Sequence, residues 1–120
     1  MSARQYDKAL NQVRKLCLAL PEAREVEAWG HPTFRAGKKL FAAFGEEAGQ
    51  LSLGLKMSHD RQEQLLNDGR FFPTPYAARQ GWVSLRIDGN TDWAKVDGLV
   101  REAYRQVALQ RMLKALDAQH

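Results

Sequence analysis

The chain has 120 residues, 44% hydrophobic and 27% charged, a balance that suits one folded domain over residues 1–120 and argues against disorder. No apolar run approaches the roughly 20 residues that span a bilayer, and Cys17, the only cysteine, excludes an intrachain disulfide or a thiolate metal cluster. With 18 Lys and Arg against 14 Asp and Glu, the net charge is +4, which admits nucleic acid or an acidic partner without requiring either.

Taken in order, Tyr6, Ala9, Leu10, Val13, Leu16, Cys17 and Leu20 recur at three- and four-residue steps. They predict one stripe of an amphipathic helix, with Cys17 buried and Lys8, Arg14 and Lys15 solvated. Pro21 is expected to end it, since proline donates no N–H and restricts the residue before it. The first residues, Met1 to Lys8, lack the apolar stretch of a secretory signal, so cytoplasmic residence is the expectation.

From Glu25 the pattern turns extended. Glu25 to Trp29 alternates, and Thr33-Phe34-Arg35 and Lys39 to Phe44 flank a tight turn at Ala36-Gly37-Lys38. A second turn is expected over Gly45 to Gly49. Beyond it, Leu51, Leu53 and Leu55 alternate with Ser52, Gly54 and Lys56, which sets the leucines toward a core and the others opposite. Ser58 is the expected N-cap of a short helix through Leu65 and Leu66, followed by Gly69. Pro73 and Pro75 suggest an irregular connection from Arg70 to Gly81. Trp82 to Ile87 is another strand, with Val83, Leu85 and Ile87 on one face and Trp82, Ser84 and Arg86 on the other. Thr91 or Asn90 is expected to cap a long helix whose stripe is Trp93, Val96, Val100, Ala103 and Val107, continuing to Leu113 and Leu116 across a break. This order predicts an α+β fold: an antiparallel sheet packed on one face by the N- and C-terminal helices.

With those segments placed, the chain resembles the MmcQ/YjbR family of small bacterial proteins over residues 5–108. The resemblance is carried by Leu20-Pro21, Gly30-His31-Pro32-Thr33-Phe34, Gly37-Lys38-Lys39-Leu40-Phe41-Ala42, Phe72-Pro73, Pro75-Tyr76 and Gly81-Trp82-Val83. It implies a frataxin-like sandwich, also described as a double-wing, predicted DNA-binding fold, with no established enzyme activity. Frataxin-like iron binding would need an acidic ridge. The first helix instead carries Arg4, Lys8, Arg14 and Lys15 against Asp7, so neither a metal nor a cofactor is expected.

The expected function is therefore non-enzymatic DNA binding, with duplex DNA as partner. Arg35, Lys38 and Lys39 form a basic hairpin to position phosphate, and Lys56, Trp82 and Arg86 extend the surface across the sheet. Glu46 and Glu47 in the next turn would repel phosphate. The alternative is a protein-interaction module using the sheet face around Trp82. An enzyme reading has only His31 and the loop near Tyr76 to rest on. His59 and His120 stand at no ligand spacing from His31. Trp29 and Phe34 are expected in the core, and Tyr76 is expected to fix its loop onto the body.

Overall fold

The computed structural model describes residues 2–119; His120 lies outside them. Helix α1 (Ala3–Leu18) opens on a capping box: the Ser2 hydroxyl accepts from the Gln5 backbone N–H, and the Gln5 side-chain amide oxygen accepts from the Ser2 N–H. Its stripe buries Ala9, Leu10, Val13 and Cys17. The helix stops at Leu18, and Pro21 belongs to the turn that follows. There the Pro21 carbonyl accepts a hydrogen bond from the Tyr104 hydroxyl at 2.7 Å.

Six strands form one antiparallel sheet: β1 (Ala23–Ala28), β2 (His31–Ala36), β3 (Lys39–Glu47), β4 (Gln50–Lys56), β5 (Phe71–Pro73) and β6 (Trp82–Ile87). The order across the sheet is β1-β2-β3-β4-β6-β5. Helices α2 (His59–Leu66), α3 (Trp93–Val107) and α4 (Gln110–Asp117) complete the fold. The α+β architecture read from the alternation of periods is the one observed.

One face of the sheet meets the helices. Phe44 packs edge-on against Tyr6 of α1 at 5.3 Å, and Phe41 against Tyr104 of α3 at 5.6 Å. Leu53, Leu55 and Val83 are fully buried beside them. Phe41 reaches this face through an irregularity. Phe34 pairs with Ala42 and Arg35 with Leu40, so Phe41 is the extra residue of a bulge and turns inward instead of following strand parity.

Three local expectations are corrected and a fourth is located. Strand β3 runs on to Glu47, and only Ala48 and Gly49 turn the chain, both at positive φ, the signature of a two-residue hairpin. Phe71–Pro73 forms a short edge strand; Pro73 is tolerated as its last residue, where the ladder needs no further N–H. The cap of α3 is Asp92, whose carboxylate accepts from the N–H groups of Ala94 and Lys95. Thr91 instead closes the preceding turn by accepting from the Asp88 N–H. The expected break in the last helix falls at Ala108, which takes an extended conformation, and α4 starts afresh.

Candidate functional site

The face turned away from the helices carries a groove, and the register explains it. Val26, Thr33, Ala43, Gly54, Ser84 and Phe72 stand in one row across all six strands. Gly45 and Ser52 pair in the next row on that face. Small residues at the centre leave room above the sheet; the Trp82 ring takes part of it over Gly54 and the His31 ring part of it over Gly45, and beside them opens a groove of roughly 830 Å³. Its floor is polar but satisfied at Ser84, whose hydroxyl lies 2.8 Å from that of Thr74; beyond the groove in the same row, the Thr33 hydroxyl donates to the Val26 carbonyl. The Ser84–Thr74 bond ties the loop after β5 over the sheet.

Two large aromatics border the groove. Trp29 is 83% exposed and Tyr76 fully exposed. Both hold positive φ, 53° and 65°. For a bulky side chain that conformation costs about 1–3 kcal/mol, and neither ring recovers it by burial. These positions correct two sequence expectations. Trp29 is not core, because Trp29 and Gly30 are the two central residues of the β1–β2 hairpin, a site that no strand face directs inward. Tyr76 does not anchor its loop; that task falls to Thr74 and to Gln62, whose amide donates to the carbonyls of Ala78 and Trp82. Phe34, by contrast, is fully buried as expected.

Strand parity holds along β4 and β6, so Lys56, Trp82 and Arg86 share the open face. Lys56 and Trp82 are direct cross-strand partners, and the Trp82 ring lies over Gly54. The Lys56 ammonium donates to the Met57 carbonyl at 3.1 Å. Arg86 stands four positions along the strand from Trp82, opposite Ser52. Its guanidinium covers the Phe72 ring at 4.8 Å and donates to the Gly69 carbonyl at 2.7 Å.

The β2–β3 hairpin holds Lys38 and Lys39, both exposed. Its tip is pinned. Arg24 donates to the Gly37 carbonyl at 3.0 Å, Arg35 donates to the Lys38 carbonyl at 3.2 Å, and Gly37 rests on Leu109 and Met112. Arg35 is thus half-buried and committed to the turn, with its Nε sequestered from solvent. The structure therefore separates the candidate residues into the lysine pair at the hairpin tip, the Lys56–Trp82 pair on the sheet, and Arg86 nearer the sheet's opposite end. Arg24, cross-strand partner of Arg35, joins the basic set unforeseen.

The ion pairs gather on the helices. The described residues make six ion pairs: Arg14–Glu25, Arg61–Glu102, Lys95–Asp68, Arg101–Asp97, Arg105–Asp117 and Arg111–Glu22, and each includes a helix residue. The Arg111 guanidinium, bonded to both Glu22 oxygens, holds that carboxyl below its ordinary range. Arg24, Arg35, Lys38, Lys39, Lys56 and Arg86 take part in none of these pairs. His31, also on the open face, stacks its ring over Gly45. No group of three or more His, Cys, Asp or Glu stands together as a metal site among the described residues, and no described helix is long and apolar enough to cross a membrane.

Comparison with known proteins places this geometry. The family model described as YjbR matches residues 18–106. The crystal structure of the Deinococcus radiodurans protein DR2400, with a DUF419 domain, superposes with a TM-score of 0.72 at 22% identity, covering 92% of this chain and 86% of that one. A crystal structure of a Pseudomonas syringae protein superposes with a TM-score of 0.64 at 13% identity, covering 89% of this chain and 99% of that one. At those identities the likeness is one of fold. No curated protein matches the sequence.

Proposed function

The chain belongs to the YjbR family, and on that premise we propose that it binds DNA across the open face of its sheet and at the β2–β3 hairpin, without catalysing a reaction. The observation that carries this reading is that none of the six ion pairs takes a cation from the open face or the hairpin. Six of the ten helix cations are paired with carboxylates, and Arg4, Lys8, Lys15 and Lys114 form none of these pairs. Those on the open face and hairpin bond only to backbone carbonyls or point to solvent, so their charge stays available to an anionic polymer. Lys38 and Lys39 are the freest of the set and would meet phosphate. Arg35 would act through the turn it fixes, holding the lysines in place. Lys56, Trp82 and Arg86 would continue the contact over the sheet. Glu46 and Glu47, on the groove's acidic side, exclude phosphate from that edge.

The test is fluorescence anisotropy of labelled DNA titrated with the protein at low and moderate salt. Affinity should fall steeply as salt rises, and Lys38→Ala should reduce the log–log slope by about one unit. Folded protein that binds no DNA at low salt refutes the reading and favours the alternative, a protein partner docked around Trp82.

A further inference from the structure

We propose that the groove on the open face takes the unpaired bases of single-stranded DNA, stacked on Trp29 and Tyr76. The inference rests on the DNA-binding reading above and specifies which form of DNA the site selects.

Two features point to a base. The groove is floored by residues too small to occupy it, Ala43, Gly45, Gly54 and Ser84 among them, and its volume is that of a cleft for a compact ligand. Its borders are the two exposed rings, each presented on a turn whose backbone conformation disfavours an aromatic. A fold gains nothing from placing Trp and Tyr there, whereas a ligand with flat apolar faces gains stacking surface on both. Nucleobases have such faces, and a duplex hides them within its own stack.

Charge selects the same occupant. Lys56 and Arg86 flank the groove on the β4–β6 side and can follow a single phosphate chain, while Glu46 and Glu47 line the groove itself. A duplex presents two phosphate strands and would bring one against those carboxylates. One strand lets its phosphates track the lysine and arginine and turns its neutral bases inward. Once there, base edges meet the hydroxyls of Ser52, Thr74 and Ser84, and the carboxylate of Glu47 can accept from an exocyclic amine.

The experiment uses the full chain, a labelled oligothymidylate and a labelled duplex of equal length, with anisotropy read at low salt. Trp29→Asn and Tyr76→Asn remove the rings with a residue that suits positive φ, so folding is not at risk. A melting curve verifies this. Each substitution should weaken single-strand binding by roughly 5- to 150-fold, the range of one lost base stack, and leave duplex binding unchanged. Wild-type protein should prefer the single strand and lose Trp29 fluorescence on binding. Equal single-strand affinity in all variants, or a preference for duplex, overturns this inference and leaves the DNA-binding reading standing. Absence of binding to either form overturns both.

Discussion

Replacing Gly81 by alanine is expected to loosen the end of the sheet that carries Trp82 and Lys56. Gly81 is buried and holds φ at +94°, a region that a side chain enters only under strain. An added Cβ would stand 2.2 Å from the Met57 carbonyl oxygen, backbone that cannot step aside. The same contact includes a hydrogen bond, from the Met57 N–H to the Gly81 carbonyl at 3.3 Å, which the displacement would break. Backbone strain of about 1–3 kcal/mol and a lost bond of about 0.5–1.5 kcal/mol sum to roughly 2–4 kcal/mol. For a chain of this length that is a fall in Tm on the order of 10 °C. Gly54→Ala is the paired control. Its Cβ would make ordinary contacts of 3.6 Å with Ala43, Trp82 and Ser84, at no positive φ. It should leave stability unchanged or raise it by about 0.4–1 kcal/mol, because alanine restricts the unfolded chain. Thermal and urea unfolding followed by circular dichroism read both variants. A Gly81→Ala protein melting within about 2 °C of wild type would refute the account of this junction.

Two further expectations concern stability. Burial pushes the Cys17 thiol pKa up, so the folded protein keeps a proton that the unfolded chain releases above a pKa of about 8.5. Cys17 therefore adds no pH dependence below that value, and above it removes up to about 1.4 kcal/mol per pH unit relative to Cys17→Ala; urea denaturation of both proteins between pH 8 and 10 would show parallel curves if this is wrong. Asp92→Ala removes the cap that the first N–H groups of α3 rely on, and should cost about 1 kcal/mol in urea unfolding. An unchanged midpoint would mean that water serves those donors equally well.

Much of this fold is legible in residue spacing. The stripe of α1 and the leucine alternation of β4 decide which face of each element is buried, and neither depends on distant partners. The shared face of Lys56, Trp82 and Arg86 follows from period two because β4 and β6 pair without a bulge. Where a bulge occurs, at Phe41, the same counting would put a core ring on the wrong side. Trp29 departs from expectation for a related reason: hydrophobicity marks it as core, but its place in a two-residue hairpin overrides that, and the Trp-Gly pair between two alternating runs is the signal of that hairpin. Asp92 and Thr91 are both competent caps; the turn from Asp88 decides between them, because it already uses the Thr91 hydroxyl. The groove was beyond reach of spacing altogether. It opens where the small residues Ala43, Gly54 and Ser84 from three strands fall into one row, and register is fixed only by the assembled sheet.

The central claim is that DNA contacts the open face and leaves the helical face free. Amide and indole chemical shifts of isotope-labelled protein, followed during titration with an oligonucleotide, test it residue by residue. The account predicts that perturbations concentrate at Trp29, Gly54, Tyr76, Trp82 and Ser84, with the exposed lysines of the β2–β3 hairpin joining at low salt. Perturbations confined to the outer surfaces of α1 and α3, or none with folded protein at low salt, would contradict it.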